Sequence, residues 1–179
     1  MSANRHLLFW LLRYFASETN TKIKTQNKMK KLMLFFLLSA TSLFAQTNPL
    51  KVKHACLTKG VALSGYDAVS YFSGKPQKGL AQFKVNYEGI VYQFNTAANQ
   101  ETFQKNPSKY EPTCGGWCAY AIGKKNKKVE VDPENFKIVD GKLNLFYKDF
   151  FGNTLDDWNK DETNLKKSAQ INWQKIVAQ

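Results

Sequence analysis

Phe83-Lys84-Val85-Asn86-Tyr87-Glu88-Gly89-Ile90-Val91-Tyr92-Gln93-Phe94 decides how this chain folds. Apolar and polar residues alternate on both sides of Glu88-Gly89, the signature of half-buried strands, and a two-residue turn ending in Gly joins the runs as a β-hairpin. Immediately downstream, Asn95 or Thr96 is placed to cap a helix running to about Lys105, with Ala97, Gln100 or Glu101 and Phe103 at helical spacing. Asn106-Pro107 stops that helix, and Phe103 should face the hairpin.

A second hairpin is expected where Phe136-Lys137-Ile138-Val139 and Leu143-Asn144-Leu145-Phe146-Tyr147 flank Asp140-Gly141, a type I′ turn signal. Between the hairpins, Cys114-Gly115-Gly116-Trp117-Cys118-Ala119-Tyr120-Ala121-Ile122-Gly123 suits a short buried helix with Gly123 as its C-cap. Upstream, Ser64-Gly65-Tyr66-Asp67 is turn-like, and Ala68 to Phe72 reads as either a short strand or one helical turn. From Thr154 the spacing of Leu155, Trp158, Leu165, Ala169, Trp173, Ile176 and Val177 predicts two helices broken near Asp161 to Asn164. The fold class is therefore α+β: small antiparallel hairpins, a short central helix and C-terminal helices packed across them.

The chain has 179 residues, 43% hydrophobic and 14% aromatic, enough for one sizeable core. Met29-Lys30-Lys31, the apolar run Leu32 to Leu38 and the small residue Ala45 have the order of a secretory signal peptide, 29–45. Its apolar run is shorter than the ~20 residues of a membrane span. Residues 1–28 read as a start-site extension, 46–60 as a polar lead-in holding His54 and Cys56 at the domain edge, and 61–179 as the domain itself. The expected location is periplasmic or secreted.

Removing residues 1–45 lowers the formal charge from +12 to +6, because the remainder holds 19 Lys, no Arg, and 13 Asp and Glu. Nucleic-acid sites favour the bidentate guanidinium, so a nucleic-acid partner is not expected. The run Lys124, Lys125, Lys127, Lys128 reads as a solvated loop.

Tyr87-Glu88-Gly89-Ile90-Val91-Tyr92-Gln93-Phe94, the inward Phe103 and Asn106-Pro107-Ser108-Lys109-Tyr110 together resemble the YHS domain over about 25 residues. The wider stretch from Gly65-Tyr66-Asp67 to Asn172-Trp173 is similar to exported YHS domain-containing proteins, with Gly115-Gly116-Trp117-Cys118-Ala119-Tyr120-Ala121 and Ile138-Val139-Asp140-Gly141-Lys142-Leu143 as landmarks. Metal-associated versions of the domain carry Cys just after the Tyr-x-Phe strand and again in the following helix. Here those places hold Asn95 and Asn99 or Gln100, so a metal site of that design is lost. Cys118 matches the exported subgroup, and Cys114 departs from it.

Cys114 and Cys118, with His54 and Cys56 as additional ligands, form the candidate metal set for copper(I) or zinc(II). A structural disulfide leaving one odd thiol is the alternative in an oxidising compartment. A nucleophilic Cys118 is a third reading, with His54 as the one histidine after the leader to serve as base. Tyr66, Asp67, Tyr71, Trp117 and Tyr120 make a candidate ligand pocket; equally, Asp67 can cap the next turn and the tyrosines can be core. The leading expectation is a non-enzymatic exported binding domain taking a soft metal ion or small ligand. Its rivals are an interaction module with a disulfide and no ligand, and an enzyme using Cys118.

Overall fold

The computed structural model describes residues 47–179. The start-site extension and the signal peptide lie outside the described residues. The lead-in is ordered from its first described turn. Asn48 accepts a hydrogen bond from the Lys51 amide at 3.1 Å, and Pro49 occupies the first turn of α1, Pro49–His54. Two short strands follow, β1 (Leu57–Thr58) and β2 (Val61–Ala62).

The first expected hairpin is β3 (Leu80–Tyr87) and β4 (Ile90–Phe94), paired antiparallel. Glu88 at φ 52° and Gly89 at φ 89° give the two left-handed residues that a type I′ turn requires. The sheet order is β1-β2-β4-β3, with β2 running parallel to β4 through Val61 and Val91. Ala68 to Phe72 resolves towards the helical alternative, as a 3-10 turn over Ser70–Ser73.

Helix α2 (Ala97–Lys105) starts on the Thr96 hydroxyl and stops at Asn106, before the single turn α3 (Pro107–Tyr110). Phe103 is fully buried on the hairpin, its ring 4.7 Å from that of Tyr92 and 5.0 Å from that of Phe94. A phenylalanine removed from water in this way stabilises the fold by about 1.5–3 kcal/mol. Leu143 and Leu145 of the second hairpin close the same core.

A 3-10 turn, Thr113–Gly116, leads into α4 (Ala119–Lys125). The expected helix over 114–123 therefore starts later and ends later. Cys114 and Gly115 take left-handed φ values of 52° and 60°, which no helix continues, and the C-cap is Asn126 at φ 51°. Gly123 lies inside α4 for a packing reason: a Cβ there would stand 2.7 Å from the Leu165 carbonyl oxygen.

The second hairpin is β5 (Asp132–Val139) and β6 (Lys142–Phe146), turning at Asp140 (φ 49°) and Gly141 (φ 69°). Helices α5 (Thr154–Lys160) and α6 (Glu162–Val177) break at Asp161. With α4 they build a second core from Ile122, Phe146, Trp158, Leu165 and Ala169. The class is α+β, as the hydrophobic patterning predicts. Among the described residues no helix is long and apolar enough to cross a membrane.

Candidate functional site

The four candidate metal ligands are not gathered into one centre. Among the described residues no three His, Cys, Asp or Glu side chains converge as a metal site, and Cys56, Cys114 and Cys118 are all free thiols. The structure does bring the two halves side by side through backbone. The Cys56 amide donates to the Gly115 carbonyl at 2.8 Å, and the Trp117 indole donates to the His54 carbonyl at 2.8 Å. The lead-in is thereby fastened to the Gly115-Gly116 turn.

Each thiol is quiet for its own reason. Cys118 is fully buried, with the Tyr147 amide donating to its sulfur at 3.4 Å. Its S–H points to the Thr154 hydroxyl oxygen, also at 3.4 Å, because that hydroxyl already donates to the Tyr147 carbonyl. Neither partner is a base. Burial pushes the Cys114 thiol up to about 12 and the Cys56 thiol up to about 11. Residue 118 is the N-cap of α4 and Cys114 sits in the preceding turn, so the expected placement of both sulfurs on one helix start does not form.

His54 is buried, and the hydrogen-bond partners of Cys118 are Thr154 and Tyr147, not the His54 ring. Its Nδ1 accepts from the Lys128 ammonium at 3.0 Å, so the ring is neutral and carries its proton on Nε2, which is buried without a partner. Burial, then the charges of Lys128 and Lys53, hold its pKa below the ordinary histidine value. Lys128 therefore leaves the expected solvated run to pair with a histidine.

The candidate pocket residues are divided between the two cores. The Asp67 carboxylate, fully buried, accepts from the amides of Val69 (2.8 Å), Ser70 (3.2 Å) and Asn95 (3.0 Å) and from the Asn99 side chain (2.8 Å). Its capacity is filled, and it ties the 3-10 turn to β4 and α2. The Tyr71 hydroxyl donates to the Pro133 carbonyl at 2.8 Å and that of Tyr66 to Glu134 at 2.6 Å, both rings packing in the first core. Trp117 and Tyr120 pack against the second. Asp67 and the tyrosines thus make the capping and core contacts of the alternative named above, and Trp117 holds the His54 carbonyl.

A cleft of about 390 Å³ opens instead between α1, β4 and α6. Its walls are Leu63, Ile90, Tyr92, Pro112, Trp173 and Val177, and Cys56 is its one thiol. The polar feature of the cleft is Lys51, which bridges two carboxylates. Its ammonium is 2.5 Å from Glu88 and also pairs with Glu111. Glu111 is the most shielded of the three, its side chain 16% exposed against 30% for Lys51 and 35% for Glu88. Burial raises the pKa of Glu111 although Lys51 opposes it. Burial would lower that of Lys51, but the two carboxylates raise it overall. Lys51, Glu88, Glu111 and Trp173 were not readable as a site, because they come from four segments far apart in sequence and Glu88 also serves as a turn residue.

No family model, no curated protein and no solved structure matches this chain.

Proposed function

We propose that the chain is an exported, non-catalytic binding domain of the YHS kind, and that its ligand is a small, largely apolar molecule carrying an amine, seated in the cleft between α1, β4 and α6. The observation that carries this reading is the Lys51–Glu88–Glu111 triad inside an apolar cleft. Two carboxylates against one ammonium leave a single negative charge there, in a domain otherwise rich in lysine. A ligand amine added beside Lys51 would neutralise that charge, while Trp173, Ile90 and Tyr92 cover the apolar remainder. The YHS part rests on the sequence motifs, and export on the leader.

Zinc(II) does not suit the residues present, since a closed tetrahedral site takes four donors and the donors here are divided. Copper(I), which two soft thiolates can hold, is the second reading. One observation favours it: Cys114 and Cys118 are both free thiols, on the turn that leads into α4 and at that helix's N-cap.

Fluorescence of Trp173, isolated by comparison with Trp173→Phe, would be titrated with a medium-chain alkylamine and its matched alcohol and carboxylate. The amine should bind tightest, and Glu111→Gln should weaken it by about fivefold or more. Equal binding of all three, or of none, rejects the amine reading. Withdrawal of copper(I) from a chromogenic chelator by the parent, lost in Cys118→Ser, would replace it with the metal reading.

A further inference from the structure

Phe150 and Phe151 are 95% and 92% exposed, side by side at the loop between β6 and α5, with ring centroids 5.3 Å apart. Exposed apolar pairs of this kind cost solubility and mark contact surfaces. The loop that carries them is held firmly. One Asp149 carboxylate oxygen accepts from the amides of Phe151 and Gly152, both at 2.9 Å, and the other accepts from the Tyr147 hydroxyl. The Asp149 amide donates to the Gly152 carbonyl at 3.0 Å, and Lys148 bridges to Asn153 at the base. The chain therefore presents two aromatic rings on a pinned tip, already ordered before any partner arrives.

We infer that this tip inserts into the surface of an anionic lipid bilayer and holds the domain there reversibly. Area argues against a protein partner. Two Phe rings offer at most about 500 Å², against the ~800 Å² that each side of a stable protein interface contributes. Their neighbours Lys148, Asp149, Gly152 and Asn153 extend no apolar patch around them. A bilayer needs no such continuity, because each ring is taken up individually by the acyl region. Charge argues for an anionic surface. Lys148 and Asp149 cancel at the tip, while residues 47–179 carry six more Lys than Asp and Glu, and that excess attracts the domain over a Debye length. One small apolar anchor alone gives only marginal, reversible attachment, and the diffuse positive charge strengthens it. This inference is independent of the cleft and its ligand.

The test uses protein purified from cells expressing the full chain, sedimented with vesicles of mixed phosphatidylcholine and phosphatidylglycerol, beside the F150S/F151S variant. Both rings face water, so the melting temperature of the variant should be unchanged. Its vesicle partition should fall about a hundredfold, roughly tenfold per ring lost, and F150W/F151W should restore it. Pure phosphatidylcholine should bind the parent less, and added salt should release it. Equal partition of parent and F150S/F151S, as association through the leader alone would give, overturns the inference. So does concentration-dependent self-association that F150S/F151S abolishes without any vesicle binding, since the tip would then serve a second copy of the chain.

Discussion

Replacing Gly123 by alanine puts two known effects in opposition at one atom. Inside a helix, Ala is favoured over Gly by about 0.8–1 kcal/mol, so propensity alone predicts a more stable protein. The structure predicts the reverse. The new Cβ would lie 2.7 Å from the Leu165 carbonyl oxygen and 3.4 Å from the Ala169 Cβ. The nearest of these is backbone, so no side-chain rotation relieves it, and α6 must move away from α4. Overpacking of this kind costs about 1–3 kcal/mol. The shift also strains the Asn172 side-chain bond to the Ile122 carbonyl, 2.9 Å long, which contributes about 1 kcal/mol. The net expectation is a loss of about 1–3 kcal/mol, which is roughly 3–9 °C in melting temperature for a domain of this size. Gly141→Ala is the control: nothing lies within 4 Å of its Cβ, so only the φ of +69° is penalised, at about 1–2 kcal/mol. Urea unfolding followed by far-UV circular dichroism would measure both, with unchanged slopes showing that stability alone has altered. A Gly123→Ala protein as stable as the parent, or more so, would show that α4 and α6 are not in backbone contact.

The thiols should separate by burial: Cys56 should react with iodoacetamide in the native protein, and Cys114 and Cys118 only after unfolding. A pKa of about 11 leaves about one Cys56 in ten thousand as thiolate at pH 7, so its rate should rise about tenfold per pH unit; three equal rates would contradict the placement. Burial raises the phenol pKa values of Tyr71 and Tyr92. The unfolded chain therefore releases those protons from about pH 10 while the native state retains them, so stability should fall as pH rises above about 10, by about 1.4 kcal/mol per unit for each. Phenolate absorbance should show these two ionising only with unfolding, and a single non-cooperative titration of every tyrosine would refute their burial.

Local chemistry explains what the sequence could reveal. Both hairpins were legible because Glu88-Gly89 and Asp140-Gly141 demand left-handed residues and their flanks alternate. Helix α2 was bounded by Thr96 and Asn106-Pro107. Helix α1 carried a readable signal in Asn48-Pro49, a cap followed by a first-turn proline, but the polarity of 46–60 obscured it. Long-range contacts were not legible. Gly123 resembles a C-cap until Leu165 is seen behind it, and Cys114 resembles the start of a helix until its backbone turns left-handed. The cleft was out of reach for the same reason, since Lys51 meets Glu88 and Glu111 only after α1 docks on the sheet. Asp67, Tyr66 and Tyr71 showed their chemistry in the sequence, but not that Asn95, Asn99, Glu134 and Pro133 occupy it.

The fastening of α1 sets an order of events in folding. The Cys56 amide needs Gly115, Val61 needs Val91, and the His54 ring meets Trp173 edge-on at 6.4 Å. None of these contacts can form on a chain that has not yet reached those later residues. The hairpin of β3 and β4 with α2 contains its own contacts and can form first, while Pro49 to Ala62 waits. Non-local pairings of this kind form more slowly than local ones. Of these partners Trp173 is made last, so the edge-on contact that seats the His54 ring closes only once α6 is complete.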